Sequence, residues 1–174
     1  DHRAAIAGRE ELLSSVGRVA PGVELHIHQP DRDGVGEVWA RCSHSFLVDA
    51  DGWQHTGDLG RLVDGYLYLA GRLGDKIIRG GENVFPIEVE RVLEGHPEIA
   101  EAAVIGIPDQ RLGETIRAYL VVADPGSPPE IDALRAYCRQ KLAGFKVPAE
   151  CIFVSALPRN AAGKILRREL ISCA

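Results

Sequence analysis

Lys164 ends the segment Pro158-Arg159-Asn160-Ala161-Ala162-Gly163-Lys164, a flexible loop that sets one ammonium just ahead of an amphipathic stretch, Ile165 to Leu170. A cation so placed suits negative charge developing on a phosphoryl group. The same residues also describe an ordinary surface lysine. Thr56-Gly57-Asp58 falls at the end of a strand-like run. There glycine permits a tight turn, and an exposed carboxylate can accept two hydrogen bonds from neighbouring hydroxyls, as on a ribose. Alone, the tripeptide reads more simply as a hairpin turn. Gly71-Arg72-Leu73-Gly74-Asp75-Lys76 puts a guanidinium just past a strand end, then a glycine and a charged pair that could serve as a hinge. A solvated surface turn fits those residues too. Gly80-Gly81-Glu82-Asn83 has neither the Walker spacing nor a dinucleotide fingerprint. Its paired glycines allow a tight hairpin whose backbone can lie close to a ligand or another domain. His26 and His28 share one face of a strand but have no nearby third ligand, so they read as strand histidines rather than a metal site.

The elements that must position these residues change character along the chain. Val23 to Ile27 and Gly36 to Ala40 alternate apolar with polar, the period of a half-buried strand. The turns Asp51-Gly52-Trp53 and Asp64-Gly65-Tyr66 bracket further short strands, ending with Tyr66 to Ala70. This half reads as all-β, a meander or small barrel. Beyond Gly74 come a strand-like Lys76 to Arg79, a glycine turn, and a helix opened by Pro86. Strands are expected at about Ala102 to Ile107 and Ile116 to Ala123, then a Pro/Gly linker from Asp124 to Pro129. An amphipathic helix near Ile131 to Leu142, a strand from Cys151 to Val154 and a short terminal helix follow. The class is therefore α+β, with a domain boundary near Asp75.

Composition narrows the partners. The chain has 174 residues, 45% hydrophobic and 26% charged, enough for one ordinary domain, or a small domain with the edge of another. A net charge of -5 argues against duplex nucleic acid as a ligand. No apolar run reaches the roughly 18 to 20 residues needed to cross a bilayer. Asp1-His2-Arg3-Ala4-Ala5 has neither an initiator Met nor signal-peptide character, which suggests a processed or excised piece. Cys42, Cys138, Cys151 and Cys173 include no Cys-x-x-Cys pair, so reduced, cytoplasmic thiols are expected.

Taken in order, the segments resemble the adenylate-forming superfamily, which includes acyl-CoA synthetases, peptide-synthetase adenylation domains and beetle luciferases. The resemblance runs from Ser15-Val16-Gly17-Arg18 and Pro21-Gly22-Val23-Glu24 through Gly36-Glu37-Val38-Trp39, Asp51-Gly52-Trp53, Thr56-Gly57-Asp58 and Gly71-Arg72. It ends with Gly163-Lys164-Ile165-Leu166-Arg167-Arg168-Glu169-Leu170. Asp75 to Glu90 looks like the hinge and following loop of CoA ligases acting on fatty or aromatic acids.

This resemblance implies that residues 1–74 are the β-rich end of a large domain, a meander or barrel remnant, and residues 75–174 a small mobile α+β domain. It implies an acid:CoA ligase that activates a carboxylic acid, expected to be a fatty acid, with ATP and Mg2+ to acyl-AMP and passes it to CoA. The alternatives are a non-CoA acceptor or a non-catalytic nucleotide- or partner-binding module. Asp58 and Arg72 would hold the nucleotide, Asp75 would be the hinge, Lys164 would bridge the carboxylate and α-phosphate, and Gly80, Gly81 and Glu82 would line the CoA channel. The superfamily's phosphate loop and acyl pocket are absent. A missing N-terminal domain is therefore expected, and this stretch alone should be inactive. Cys42 to Ala50 is also shorter than the usual connection between its flanking motifs.

Overall fold

The computed structural model describes residues 10–45 and 47–172. The sequence readings at Asp1 to Ala5 and at Cys173 lie outside them. The chain divides after Gly74 into two compact units. Both are built largely from antiparallel strands, with few helices, so the class is α+β.

In the first unit a 3-10 turn, Glu10–Ser14, precedes β1 (Gly17–Arg18), β2 (Val23–His28), β3 (Gly36–Cys42), β4 (Gln54–Val63) and β5 (Tyr66–Arg72). They form one antiparallel sheet in the order β1-β5-β4-β3-β2, so β2 to β5 are a meander. The β4–β5 hairpin closes on Asp64 (φ 51) and Gly65 (φ 78). Two successive positive φ angles give the turn whose twist matches the flanking strands. On one face His28 stacks on Trp39 at 3.8 Å between ring centroids, and Trp39 stacks on His55 at 4.1 Å. The histidines are thus part of an aromatic stack.

The second unit holds a 3-10 turn (Leu73–Asp75, which begins in the last residues of the first), β6 (Ile77–Arg79), β7 (Glu82–Val84), α1 (Pro86–Glu94), β8 (Ile99–Asp109) and β9 (Gly113–Val122). Then come α2 (Ile131–Lys141), β10 (Glu150–Phe153) and α3 (Arg167–Ser172). The sheet runs β10-β9-β6-β7, with β8 paired antiparallel to β9 and β10 parallel to it.

Ala102, Ala103, Val104 and Ile105 are all buried, because β8 is covered on both faces; such strands read as continuous apolar runs. Ala102 and Val104 join Val89, Leu93, Leu134 and Cys138 in the main core. Ala103, Ile105 and Tyr119 meet Leu157 and Leu170 on the other side. Glu90 and Glu94 of α1 accept the backbone N–H groups of Val104 (2.8 Å) and Ala102 (3.2 Å). Four helical residues rise about 6 Å and two strand residues about 6.6 Å, so the helix caps the β8 edge in register. No helix among the described residues is long and apolar enough to cross a membrane.

Candidate functional site

In the first unit the site begins with a break in the sheet. Between Glu37 and Trp39 on β3 there is only Val38, whereas β4 places Thr56, Gly57 and Asp58 between the facing residues His55 and Leu59. The sequence reading put this tripeptide at a strand end or hairpin turn; the structure places it inside β4 as a bulge. Gly57 takes φ +71, a conformation glycine adopts without strain. The Thr56 hydroxyl donates to the Val38 carbonyl at 2.6 Å, and the Asp58 N–H donates to that hydroxyl at 3.1 Å. Glu37 accepts the Gly57 N–H at 3.3 Å and the Trp39 indole N–H at 2.9 Å. Glu37 of the Gly-Glu-Val-Trp motif therefore braces the bulge, a role the sequence pattern did not disclose. Asp58 lies directly across from Arg72 on β5, with Nε 3.0 Å from Oδ1.

In the second unit Asp75 ends the 3-10 turn, and its carboxylate lies 3.7 Å from the Arg167 guanidinium. Gly80 (φ 60) and Gly81 (φ 87) join β6 to β7 as a two-residue hairpin, with Glu82 opening β7 opposite Arg79. The Gly80 N–H donates to the Leu112 carbonyl at 2.8 Å, and the Ile78 N–H donates to Glu114 at 2.6 Å. Arg79 donates to the Phe145 carbonyl at 2.6 Å. The hairpin is thus tied to the β8–β9 turn and to the loop after α2.

The Lys164 segment is closed by hydrogen bonds, where the sequence suggested a flexible loop. The Asn160 side-chain oxygen accepts the N–H groups of Ala162 (3.0 Å) and Lys164 (2.9 Å), and the Gly163 N–H donates to the Asn160 carbonyl at 2.9 Å. Arg159 donates to the Gly163 carbonyl at 2.6 Å and pairs with Glu101 at 2.7 Å. The backbone is held while the Lys164 side chain is exposed.

Glu101, which anchors the lysine loop, and Asp109, beside the turn that anchors the glycine hairpin, stand at opposite ends of β8. At about 3.3 Å per residue that is roughly 26 Å. The two candidate groups of the second unit are therefore kept apart on one rigid hairpin.

Glu90 was not singled out from the sequence, where it looks like any helix glutamate. It is 7% exposed and accepts two hydrogen bonds from Arg167, at 2.6 and 2.8 Å. Burial pushes its carboxyl above the usual range, outweighing the Arg167 guanidinium and the Val104 N–H. Among the described residues no three His, Cys, Asp or Glu side chains converge to hold a metal ion.

Residues 88–164 match the AMP-binding enzyme C-terminal domain. The chain also superimposes on the o-succinylbenzoate CoA synthetase MenE of Bacillus subtilis, solved with its acyl-adenylate intermediate. The TM-score is 0.82 and the identity 37%, over 92% of this chain and 36% of that one. The chain belongs to the adenylate-forming superfamily. Within the superfamily it is 44% identical over 166 residues to a fatty acid–[acyl-carrier-protein] ligase of Streptomyces coeruleorubidus, covering 93% of this chain and 31% of that protein. It is 47% identical over 135 residues to a long-chain-fatty-acid–CoA ligase of Mycobacterium tuberculosis, covering 77% of this chain and 26% of that protein. The chain thus spans between a quarter and a third of the length of these curated relatives.

Proposed function

We propose that the chain is the C-terminal part of an AMP-forming acid:CoA ligase. Residues 1–74 would belong to the large domain, and residues 75–174 would be the small domain that turns about Asp75. In the first half-reaction a carboxylate oxygen attacks the α-phosphorus of ATP and pyrophosphate leaves. In the second the CoA thiolate attacks the acyl carbonyl and AMP leaves.

The observation that carries this reading is the placement of Lys164 and the Gly80-Gly81 hairpin at opposite ends of β8. One body that presents a cation at one end and a side-chain-free backbone at the other can serve two chemical steps in turn, provided it reorients between them. Lys164 would stabilise charge on the α-phosphate. Gly80 and Gly81, with Glu82 beside them, would leave room for the thiol. Asp58 would accept the ribose hydroxyls, oriented by the bulge and by Arg72. Mg2+ would accompany ATP, held chiefly by phosphate oxygens and one or two carboxylates.

A fatty acid is the proposed substrate, supported by two relatives whose names specify fatty acids. The Streptomyces relative, named for an acyl-carrier-protein acceptor, favours a second reading in which a carrier thiol replaces CoA. A cytoplasmic location is supported by the free thiols of Cys42, Cys138 and Cys151, which a reducing compartment preserves.

The test uses the full-length parent enzyme, measuring acyl-AMP formation and conversion of supplied acyl-AMP to thioester separately. Lys164→Ala should lower the first by about a hundredfold to a thousandfold and spare most of the second. Gly81→Leu should do the reverse. Equal losses in both steps for both variants would reject this division of labour. Turnover with a carrier protein but not with CoA would select the second reading.

A further inference from the structure

Three residues beyond Lys164, Arg167 opens α3 and reaches acids on two other elements. Its NH2 donates to both Glu90 oxygens, at 2.6 and 2.8 Å, and its NH1 lies 3.7 Å from Asp75 Oδ2. The Glu90 contact is firm, since Glu90 is fixed from α1 and also accepts the Val104 N–H. The Asp75 contact exceeds hydrogen-bond length and is purely Coulombic. The Arg167 Nε is buried without a partner.

That arrangement is poorly explained by stability. A buried donor left unsatisfied is unfavourable, and apolar residues of similar size commonly replace buried ion pairs without loss. Arg167 is not needed to dock α3 either. Leu170 is buried in the second core, and the Tyr119 hydroxyl donates to the Leu170 carbonyl at 2.7 Å. Arg167 does, however, link Asp75 to the segment that carries Lys164.

We infer that Arg167 is a positioning residue that couples the setting of the backbone at Asp75 to the placement of Lys164, an inference that rests on the function proposed above. Glu90 is the fixed anchor of the guanidinium. Asp75 is the partner gained or lost as the hinge turns. The chemistry belongs to Lys164, and Arg167 acts only by orienting its segment during adenylation.

The test is a double-mutant cycle in the full-length parent, with both half-reactions and the melting temperature measured for Arg167→Met, Asp75→Asn and the pair. Each single variant should slow acyl-AMP formation about tenfold through kcat, with KM for ATP unchanged and thioester formation from supplied acyl-AMP within twofold of wild type. The double variant should be no slower than the worse single. Arg167→Lys, which keeps the charge, should recover part of the rate.

Multiplying losses in the double variant, or equal losses in both half-reactions, would overturn the coupling. Should Arg167→Met fail to fold, Asp75→Asn decides: wild-type adenylation with this variant would also overturn it. Lys164→Ala separates the coupling through Arg167 from the proposed role of the lysine itself. If it abolishes adenylation while Arg167→Met does not, this inference alone falls; if it has no effect, the proposed function falls and takes the inference with it.

Discussion

Asp58 and Arg72 are cross-strand partners on β4 and β5, with the Arg72 Nε 3.0 Å from the Asp58 carboxylate. Their side chains are 30% and 56% exposed, and such pairs contribute only about 0–1 kcal/mol to folding. Asp58→Asn should therefore leave the melting temperature of the 174-residue chain within a few degrees of wild type. In the full-length parent it should weaken AMP binding about tenfold, the order expected for hydrogen bonds to a charged group. Calorimetric titration with AMP decides, and an unchanged affinity would leave Asp58 a purely structural part of the β4 bulge.

Gly80 and Gly81 both hold left-handed backbone, whereas Gly74 does not and has open space around its missing Cβ. Alanine at either hairpin position should destabilise the chain by roughly 1–2 kcal/mol. Asn at Gly80 should be milder, because its short polar side chain tolerates this region. Gly74→Ala should be neutral or slightly stabilising. Urea titrations of the four variants test the ordering, and equal effects at positions 74 and 81 would contradict the hairpin geometry.

The thiols should differ widely in reactivity. A hydrogen bond with Ser45 holds the Cys42 thiol below its ordinary value, while burial pushes Cys151 up and Cys138 up to about 11. A rise from 9.0 to about 11 lowers the thiolate fraction near neutral pH about a hundredfold. In a Cys173→Ser background, iodoacetamide followed by peptide mapping should label Cys42 first and Cys138 last. Labelling of Cys138 at the rate of Cys42 would show that α2 lifts readily from the main core.

Glu90 provides a pH test with a definite sign. Because burial raises its folded-state value, folding favours the proton. The group's contribution is fully present below its usual value of 4.5 and is lost as pH rises through the folded value. Relative to Glu90→Gln, which cannot titrate, the wild type should gain stability as pH falls from neutral toward about 4.5. The lowered carboxyls of Asp49 and Asp109 act in the opposite direction but are common to both proteins. A wild type that instead loses stability relative to Glu90→Gln would show that Arg167 dominates over burial.

Much of the local structure was legible because it rests on local physics. Asp64-Gly65 announces the β4–β5 turn, Pro86 opens α1, and the apolar runs of β8 and β9 mark strands covered on both faces. The short strand β7 was not visible. Glu82-Asn83-Val84 has no alternation of its own, and it pairs only because the glycine turn folds it back on β6. The bulge in β4 was misplaced for a related reason. Thr-Gly-Asp is turn chemistry in any local reading, and only the register against β3 shows three residues facing one.

Through the resemblance carried by its motifs, the sequence alone pointed to the adenylate-forming superfamily and to Asp58, Arg72, Asp75, Gly80, Gly81, Glu82 and Lys164 as candidate positions. The tertiary structure decided which side chains meet: Asp58 with Arg72, Glu37 with the bulge, and Arg167 with both Glu90 and Asp75. Residue types and short-range periodicity report what a segment can do where it stands. The Glu90–Arg167 contact joins residues 77 positions apart, and the burial of Glu90 is created by strands that lie elsewhere in the chain. No local pattern encodes either one.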